Sequence, residues 1–252
     1  MNKPSLIYCY DAYCGWCYGF SPVIKKIAIQ YKNDFFIEVL SGGMMVGEEV
    51  MPIEKIGPYI KKAYKRVEEL TGIKFGEDFL WHINNPDKSD WVMNSEKPAI
   101  ALCVFKEYYP DDAILFATDL QYALNYEGRD LDDDEAYRHL LQKYSVPEEE
   151  FFIKLKSDTF KEKAQYEFAL CKHLQVTGFP QVFIQQNDQK FYLVTKGFSD
   201  YDTMNERIQN VLKEINIWGL IFIVLNYNWI VKAINILRNN RIEELYQIAK
   251  NV

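Results

Sequence analysis

The sequence has few of the residues on which several classes of protein depend. Only five of its 252 residues are Cys and three are His. Five scattered cysteines are too few for a disulfide framework, and His82, His139 and His173 show no metal-ligand spacing. Acidic residues outnumber basic ones, 36 to 29, which gives a net charge of −7. Because a nucleic-acid binder needs a basic face, we expect no nucleic-acid partner.

Recognisable export and membrane segments are also missing. Residues 1–4 lead directly into an apolar strand, without the charged, apolar and small-residue regions of a secretory signal. The apolar run 217–225 is followed by Asn226 and Asn228 and is shorter than the ~20 residues of a membrane-spanning helix. We therefore expect a cytoplasmic protein. In that reducing compartment a disulfide is more often transient and catalytic than structural.

The sequence does contain one closely spaced pair of cysteines, Cys14-Gly15-Trp16-Cys17. Two thiols at this spacing can form a disulfide, and the start of a helix favours a thiolate. A C-x-x-C in a βαβ context is typical of a thioredoxin-like redox motif. The alternatives are two core cysteines or half of a zinc site. Structural zinc needs four ligands, and the sequence has no second C-x-x-C.

The pattern of apolar residues predicts a βαβ unit at the start of the chain. Its parts are a strand over 5–10, a helix over 14–31 and a strand over 35–40. Pro22 lies inside the helix, which predicts a kink after Ser21. The crossover between the two strands is expected to be right-handed.

The strand pattern then disappears between Gly42 and about Asp158. Helices are predicted there over 52–71, 75–84, 95–109, 111–126, 132–144 and 147–157. The pattern after this segment predicts a helix over 159–175, strands over 181–186 and 191–195, and a helix over 200–215. The sequence thus predicts an α/β fold with a large all-helical insertion between a βαβ half and an αββα half.

These segments resemble the DsbA-like thioredoxin-fold family, and within it the FrnE-type cytosolic branch. The resemblance rests on residues 8–11 leading into 14–22, on the helical insertion and on residues 176–182, and it covers about 4–215. The pattern and the resemblance together predict a thioredoxin-like domain over 1–42 and 158–216 with an inserted helical domain over 43–157. Residues 217–252 have no counterpart in the family and are predicted to be a C-terminal extension.

The resemblance also implies catalytic roles for three residues. Cys14 corresponds to the attacking cysteine, Cys17 to the buried resolving cysteine, and Pro180 to a cis-proline that faces the disulfide. A strand-entry proline is the alternative for Pro180. Gly15-Trp16 differs from the Pro-His of the periplasmic oxidase, so no imidazole lies between the thiols to stabilise a thiolate. Because no signal peptide is visible, the oxidative role of the periplasmic enzyme is not expected to transfer.

Six residues near these positions are candidates for substrate binding. Trp16 lies between the thiols, and Gly178 and Phe179 precede Pro180 and offer backbone groups to an extended substrate. Gly42 and Gly43 can let a substrate backbone approach closely, and Met44 can line an adaptable apolar surface. A turn followed by core methionines is the alternative. Cys9, Cys103 and Cys171 are expected to be inert core residues.

The function predicted from these features is that of a cytosolic thiol–disulfide oxidoreductase acting through a mixed disulfide. We expect a protein or small-molecule disulfide or dithiol as substrate, no bound metal or cofactor, and glutathione as a candidate redox partner. One alternative is a glutathione-dependent isomerase or transferase of aromatic compounds, and another is a non-catalytic, chaperone-like binder. The oligomeric state stays open, with a dimer among the options. Three interpretations of residues 217–252 stay open: an oligomer contact, a helix packed on the domain, or out-of-frame coding appended to the domain.

Overall fold

The computed structural model of the protein describes residues 3–216. The chain divides into two compact units, one of residues 3–206 and one of residues 1–2 and 207–252. In the second unit, residues 207–216 are described and are helical. The interpretations of 217–252 fall outside the described residues. No helix among residues 3–216 is long and apolar enough to cross a membrane.

The elements follow the predicted order along the chain. They are β1 (Ser5–Tyr10), α1 (Gly15–Tyr31), β2 (Phe36–Ser41), β3 (Met51–Pro52), α2 (Ile53–Thr71), α3 (Glu77–Asn84), β4 (Val92–Met93), α4 (Glu96–Tyr108), α5 (Ala113–Asn125), α6 (Glu135–Tyr144), α7 (Glu148–Leu155), α8 (Asp158–His173), β5 (Gln181–Asn187), β6 (Lys190–Lys196) and α9 (201–216). Short 3-10 turns lie at Gly47–Glu49 and Pro110–Asp112.

A four-stranded sheet in the order β2-β1-β5-β6 forms the centre of the larger unit. β1 pairs parallel with β2 and antiparallel with β5, and β6 completes an antiparallel hairpin. β1 is buried from Leu6 to Tyr10 because strands cover both of its edges and helices cover its faces. Cys9 of β1 lies opposite Gln181, the first residue of β5. This register brings the loop after β1 next to the residues that precede β5.

The helices between β2 and β5 pack directly on the rest of the unit. α5 packs against α1 and β2, and α4 packs against α8. All of residues 3–206 form one compact unit. A separate domain over 43–157 stays a prediction.

The insertion differs from the prediction in its details. β3 and β4 form a two-stranded antiparallel sheet that sequence analysis missed, because two residues a strand leave no periodic pattern. α3 begins at Glu77 rather than at residue 75, with Gly76 as its N-cap. The segment predicted as a helix over 111–126 begins with a 3-10 turn before α5.

Candidate active site

Cys14 is the N-cap residue of α1. Its backbone is extended, with φ −83° and ψ 109°, and its carbonyl accepts a hydrogen bond from the Tyr18 amide at 3.0 Å. The thiol therefore lies at the amino end of a 17-residue helix. The helix dipole and the unpaired amides of the first turn favour a negative charge on this sulfur.

Cys17 lies one turn further along α1 and differs from Cys14 in exposure. Cys14 keeps 7% of its surface exposed, whereas Cys17 is completely buried. Burial, followed by a hydrogen bond with the Cys14 thiol, raises the pKa of Cys17 well above its ordinary value. In the reduced protein, burial therefore keeps the Cys17 thiol protonated. Both cysteines are free thiols in this structure.

The loop before β5 faces Cys14 across the site. The Phe179–Pro180 peptide bond is cis, and the Phe179 carbonyl accepts a hydrogen bond from the Cys14 thiol at 3.6 Å. Two further hydrogen bonds hold the loop: Gly197 donates to the Pro180 carbonyl at 2.7 Å, and the Gln181 side chain donates to the Gly178 carbonyl at 3.0 Å. The structure thus places Pro180, Phe179 and Gly178 beside the thiols.

Gly42 and Gly43 have a packing role in the loop after β2. A Cβ atom on Gly42 would lie 1.9 Å from the Phe179 ring, so only glycine leaves room for that ring. Gly43 has φ +66°, and a Cβ there would lie 2.8 Å from the Phe168 ring. Gly42 therefore makes room for the loop that faces Cys14, and Gly43 lets the loop after β2 pack against α8. Their contact with substrate stays a prediction.

Asp11 is a residue of this site to which sequence analysis gave no role. Its carboxylate is buried and accepts hydrogen bonds from the Tyr13 amide at 3.0 Å, the Met44 amide at 2.7 Å and the Ser95 hydroxyl at 2.8 Å. Burial raises the pKa of Asp11, and these hydrogen bonds oppose the rise. Asp11 thereby ties the loop before Cys14 to the loop of Met44 and to the start of α4. An acidic residue at the end of a buried strand, next to a C-x-x-C, was the available signal.

A cavity of about 640 Å³ opens beside Cys14. One side is formed by the C-x-x-C, the loop after β2 and the loop before β5. The other side is formed by α2, through Ile56, Tyr59, Ile60 and Tyr64. The predicted residues Trp16, Gly42, Gly43, Met44, Gly178 and Phe179 all line this cavity. Trp16 is half-buried. The α2 residues could not be predicted, because no local pattern indicates which distant helix covers a site.

The remaining cysteines lie away from the cavity. Cys9 and Cys171 are neighbours in a buried cluster behind the sheet, and the hydrogen bond between them raises the pKa of Cys9. Burial likewise raises the pKa of Cys103. The raised pKa values of Cys9 and Cys103 and the burial of all three thiols make these cysteines poor nucleophiles. Within residues 3–216, no group of three or more His, Cys, Asp or Glu side chains is arranged to hold a metal ion.

A C-x-x-C that starts the helix of a βαβ unit, and faces a cis-proline before the strand β5 that pairs with β1, defines a thioredoxin-fold protein with a dithiol site. The chain belongs to the DSBA-like thioredoxin domain family, whose model matches residues 6–209. No curated protein matches the chain. The predicted resemblance to the DsbA-like family is confirmed.

Solved structures show the same fold. A candidate protein disulfide isomerase from Nitrosomonas europaea matches with TM-score 0.74 and 22% identity, over 84% of this chain and 99% of that one. The cytosolic disulfide reductase DsbM from Pseudomonas aeruginosa matches with TM-score 0.66 and 22% identity, over 83% and 98%. A 2-hydroxychromene-2-carboxylate isomerase matches with TM-score 0.54 and 15% identity, over 85% and 95%.

These matches confirm the predicted thioredoxin-like fold class. The family also confirms the predicted class of enzyme, a thiol–disulfide oxidoreductase. At these sequence identities, the similarity to solved structures establishes the fold and does not identify the substrate.

Proposed function

We propose that the chain exchanges thiols and disulfides through Cys14 and Cys17. The observation that carries this proposal is the arrangement of the two sulfurs. Cys14 lies at the start of α1, keeps some exposure and contacts the Phe179 carbonyl, whereas Cys17 is completely buried beside it. This asymmetry suits one attacking and one resolving thiol.

The proposed reaction proceeds in two exchanges. The Cys14 thiolate attacks one sulfur of a substrate disulfide, forms a mixed disulfide and releases the first substrate thiolate, which takes up a proton. Cys17 then loses its proton and attacks the Cys14 sulfur, which releases the second substrate thiol and leaves a Cys14–Cys17 disulfide. Two electrons pass from the protein dithiol to the substrate. The reverse sequence oxidises a substrate dithiol.

Insulin reduction with dithiothreitol as the source of electrons tests this proposal. Cys14→Ser should abolish turnover, because the attacking sulfur is lost. In a separate incubation without dithiothreitol, Cys17→Ser should accumulate a mixed disulfide between Cys14 and insulin, since neither Cys17 nor an added thiol resolves it. Cys103→Ser, which changes a buried thiol away from the cavity, is the matched control and should keep the wild-type rate. Full activity in Cys14→Ser would contradict the proposal.

We also propose a cytoplasmic location and glutathione as a redox partner. The support is the neighbour DsbM, which is described as cytosolic, and a DsbM structure with GSH that matches with TM-score 0.64 and 21% identity. Cell fractionation with an antibody against the chain tests the location. Recovery of the protein outside the cytoplasmic fraction would contradict it.

A second candidate function is glutathione-dependent isomerisation of a small aromatic compound. The structural likeness to 2-hydroxychromene-2-carboxylate isomerase and a cavity of small-molecule size favour it. The buried Cys17 argues against it, because isomerisation needs no resolving thiol. Isomerase activity that persists in Cys17→Ser would favour this second candidate.

A further inference from the structure

We propose that one flank of α2 is a docking surface for an acidic segment of a polypeptide partner, and that it holds this segment while Cys14 exchanges with a cysteine of the partner. Lys55, Tyr59, Lys62 and Arg66 form this basic flank. The inference rests on the proposed function, because thiol exchange at Cys14 is the reaction that docking would serve. It concerns charge outside the cavity and leaves the cavity itself open to glutathione.

The four residues of the basic flank lie on one side of α2. Their spacing of four, three and four residues places their side chains in one row along a helix. Tyr59 connects this row to the site, since it lines the cavity beside Cys14 while 65% of its surface is exposed. Lys55 and Lys62 are its neighbours on the helix surface, one turn before it and one turn after it. The basic flank therefore borders the open edge of the cavity.

The lysines of the basic flank differ from the cations of the later helices because they have no counter-ion. Among the described residues, Lys55 and Lys62 form no ion pair, and Arg66 pairs with Glu69 at 3.5 Å with both side chains exposed. By contrast, all nine Lys and Arg residues between 97 and 163 form ion pairs. Lys62 and Arg66 also repel each other, because they are four residues apart on the helix. An acidic partner would relieve this repulsion.

The charge of the whole chain gives the basic flank an effect on orientation. The net charge is −7, so an acidic polypeptide is repelled by the chain as a whole. A row of cations on such a surface attracts the acidic segment to one place and raises the rate of productive encounters. Because that place borders the cavity, a cysteine next to the acidic segment approaches Cys14 from the side of α2.

The length of the basic flank favours a polypeptide over a small anion. At ~1.5 Å per residue, the flank extends about 16 Å from Lys55 to Arg66. Glutathione has three residues of at most ~3.6 Å each, so it is too short to contact both ends. An extended chain presents every second side chain on one side, about 7 Å apart, which is close to the rise of about 6 Å between Lys62 and Arg66.

The experiment measures how fast three activated peptides react with Cys14 of full-length Cys17→Ser. The cysteine sulfur of each peptide is bonded to a 2-thiopyridyl group. Attack by the Cys14 thiolate forms the mixed disulfide and releases pyridine-2-thione, whose absorbance gives the rate. The acidic probe is acetyl-Glu-Ser-Glu-Ser-Gly-Cys-Gly-Ser-Glu-Ser-Glu-amide, and Gln or Lys replaces every Glu in the neutral and basic probes. Each rate is divided by the rate of the same probe with dithiothreitol, which removes differences in intrinsic reactivity.

At about 0.1 M salt we expect the acidic probe to react about 5-fold faster than the neutral probe. At about 1 M salt, where the Debye length is only about 3 Å, the two rates should become similar. Lys55→Gln combined with Lys62→Gln should remove most of the preference for the acidic probe. The matched control combines Lys61→Gln with Lys65→Gln, which removes the same charge from the same helix on the side away from Tyr59. This control should keep the preference.

A membrane surface is the other class of acidic partner that the experiment tests. A helix that binds a membrane turns its apolar face to the lipid, whereas Ile56 and Ile60 of α2 line the cavity. Sedimentation with vesicles of phosphatidylcholine and about a fifth phosphatidylserine should therefore be the same with and without the Lys55→Gln and Lys62→Gln changes. Vesicle binding that these changes abolish would assign the basic flank to a membrane and overturn the inference.

The outcomes separate the inference from the proposed function. If the acidic and neutral probes react equally at about 0.1 M salt, or if the two double variants change the ratio of their rates equally, the inference is overturned and the proposed function stands. A ratio of rates does not depend on the fraction of folded protein. If Cys17→Ser forms no mixed disulfide with any probe, the proposed function fails and the inference fails with it.

Discussion

At the scale of single residues, the site depends on how closely the Phe179 ring fits Gly42. The ring occupies the space that any Gly42 side chain would need, and the Phe179 carbonyl contacts the Cys14 thiol. A change at Gly42 therefore reaches Cys14 through one intervening residue.

Gly42→Ala should displace the Phe179 ring, because the new Cβ would lie 1.9 Å from it. We expect a loss of about 1–3 kcal/mol in the free energy of unfolding, typical of an overpacked site, and slower modification of Cys14 by a neutral disulfide. Urea denaturation measures the first effect and mass spectrometry the second. Gly178→Ala is the control, since its Cβ meets nothing within 4 Å, and it should stay within about 1 kcal/mol of wild type. Equal stability of the two variants would contradict this account.

Asp11 is a second residue on which the site depends. Its neighbours within the network are all hydrogen-bond donors. Asp11→Asn would place the NH2 group of its side chain against one of those donors, which would lose its hydrogen bond. We therefore expect a loss of about 1–3 kcal/mol in the free energy of unfolding at neutral pH.

The pH dependence of this loss has a definite sign. The folded protein binds the Asp11 proton more tightly than the unfolded chain, because burial raises its pKa above the ordinary 3.8. The stability that Asp11 contributes therefore falls as the pH rises from 3.8 through the raised pKa. Since Asn does not titrate, the difference in stability between wild type and Asp11→Asn should shrink as the pH rises from about 4 through the raised pKa of Asp11. Urea denaturation at several pH values checks this, and a difference that grows with pH would refute it.

At the scale of elements, a partly buried ion pair joins α4 to α8 and both to β2. Lys106 donates to Glu167 and to the Val39 carbonyl. Glu167 also accepts from the Ser41 amide at 2.8 Å and the Cys103 thiol at 3.4 Å. The helical insertion is thus held to the sheet by charge as well as by packing.

Lys106→Met should leave the Glu167 carboxylate buried without its cation. We expect a loss of about 2–3 kcal/mol, below the range for a fully buried pair because Lys106 is partly solvated. Lys163→Met is the control, because Lys163 and Glu107 join the same two helices at the surface and should contribute less than about 1 kcal/mol. Thermal unfolding of both variants measures this. A larger loss in Lys163→Met would show that the account of the pair is wrong.

The elements also show what local sequence can predict. β1, α1 and β2 were predicted to within one residue at most of their ends, because their apolar patterns are long and regular. β3 and β4 were missed because two-residue strands have no pattern. The wall that α2 forms against Cys14 was also missed, because it results from packing between segments that are distant in the sequence.

At the scale of the whole molecule, the family and the dithiol could be predicted from two short motifs. Cys14-Gly15-Trp16-Cys17 and Phe179-Pro180 are far apart in the sequence, and the register of β1 on β5 brings them together. The Asp11 network and the Lys106–Glu167 pair could not be predicted, since each joins residues whose proximity only the tertiary fold determines.

The most direct test of the central claim is a redox titration of the full chain. The protein is equilibrated in buffers of reduced and oxidised glutathione, its free thiols are alkylated, and the masses of its peptides are measured by mass spectrometry. We predict one two-electron transition in which the peptide with Cys14 and Cys17 loses two hydrogen atoms, while Cys9, Cys103 and Cys171 stay thiols. A disulfide that leaves out Cys14 or Cys17, or no transition at any ratio of the two glutathione forms, would contradict the account.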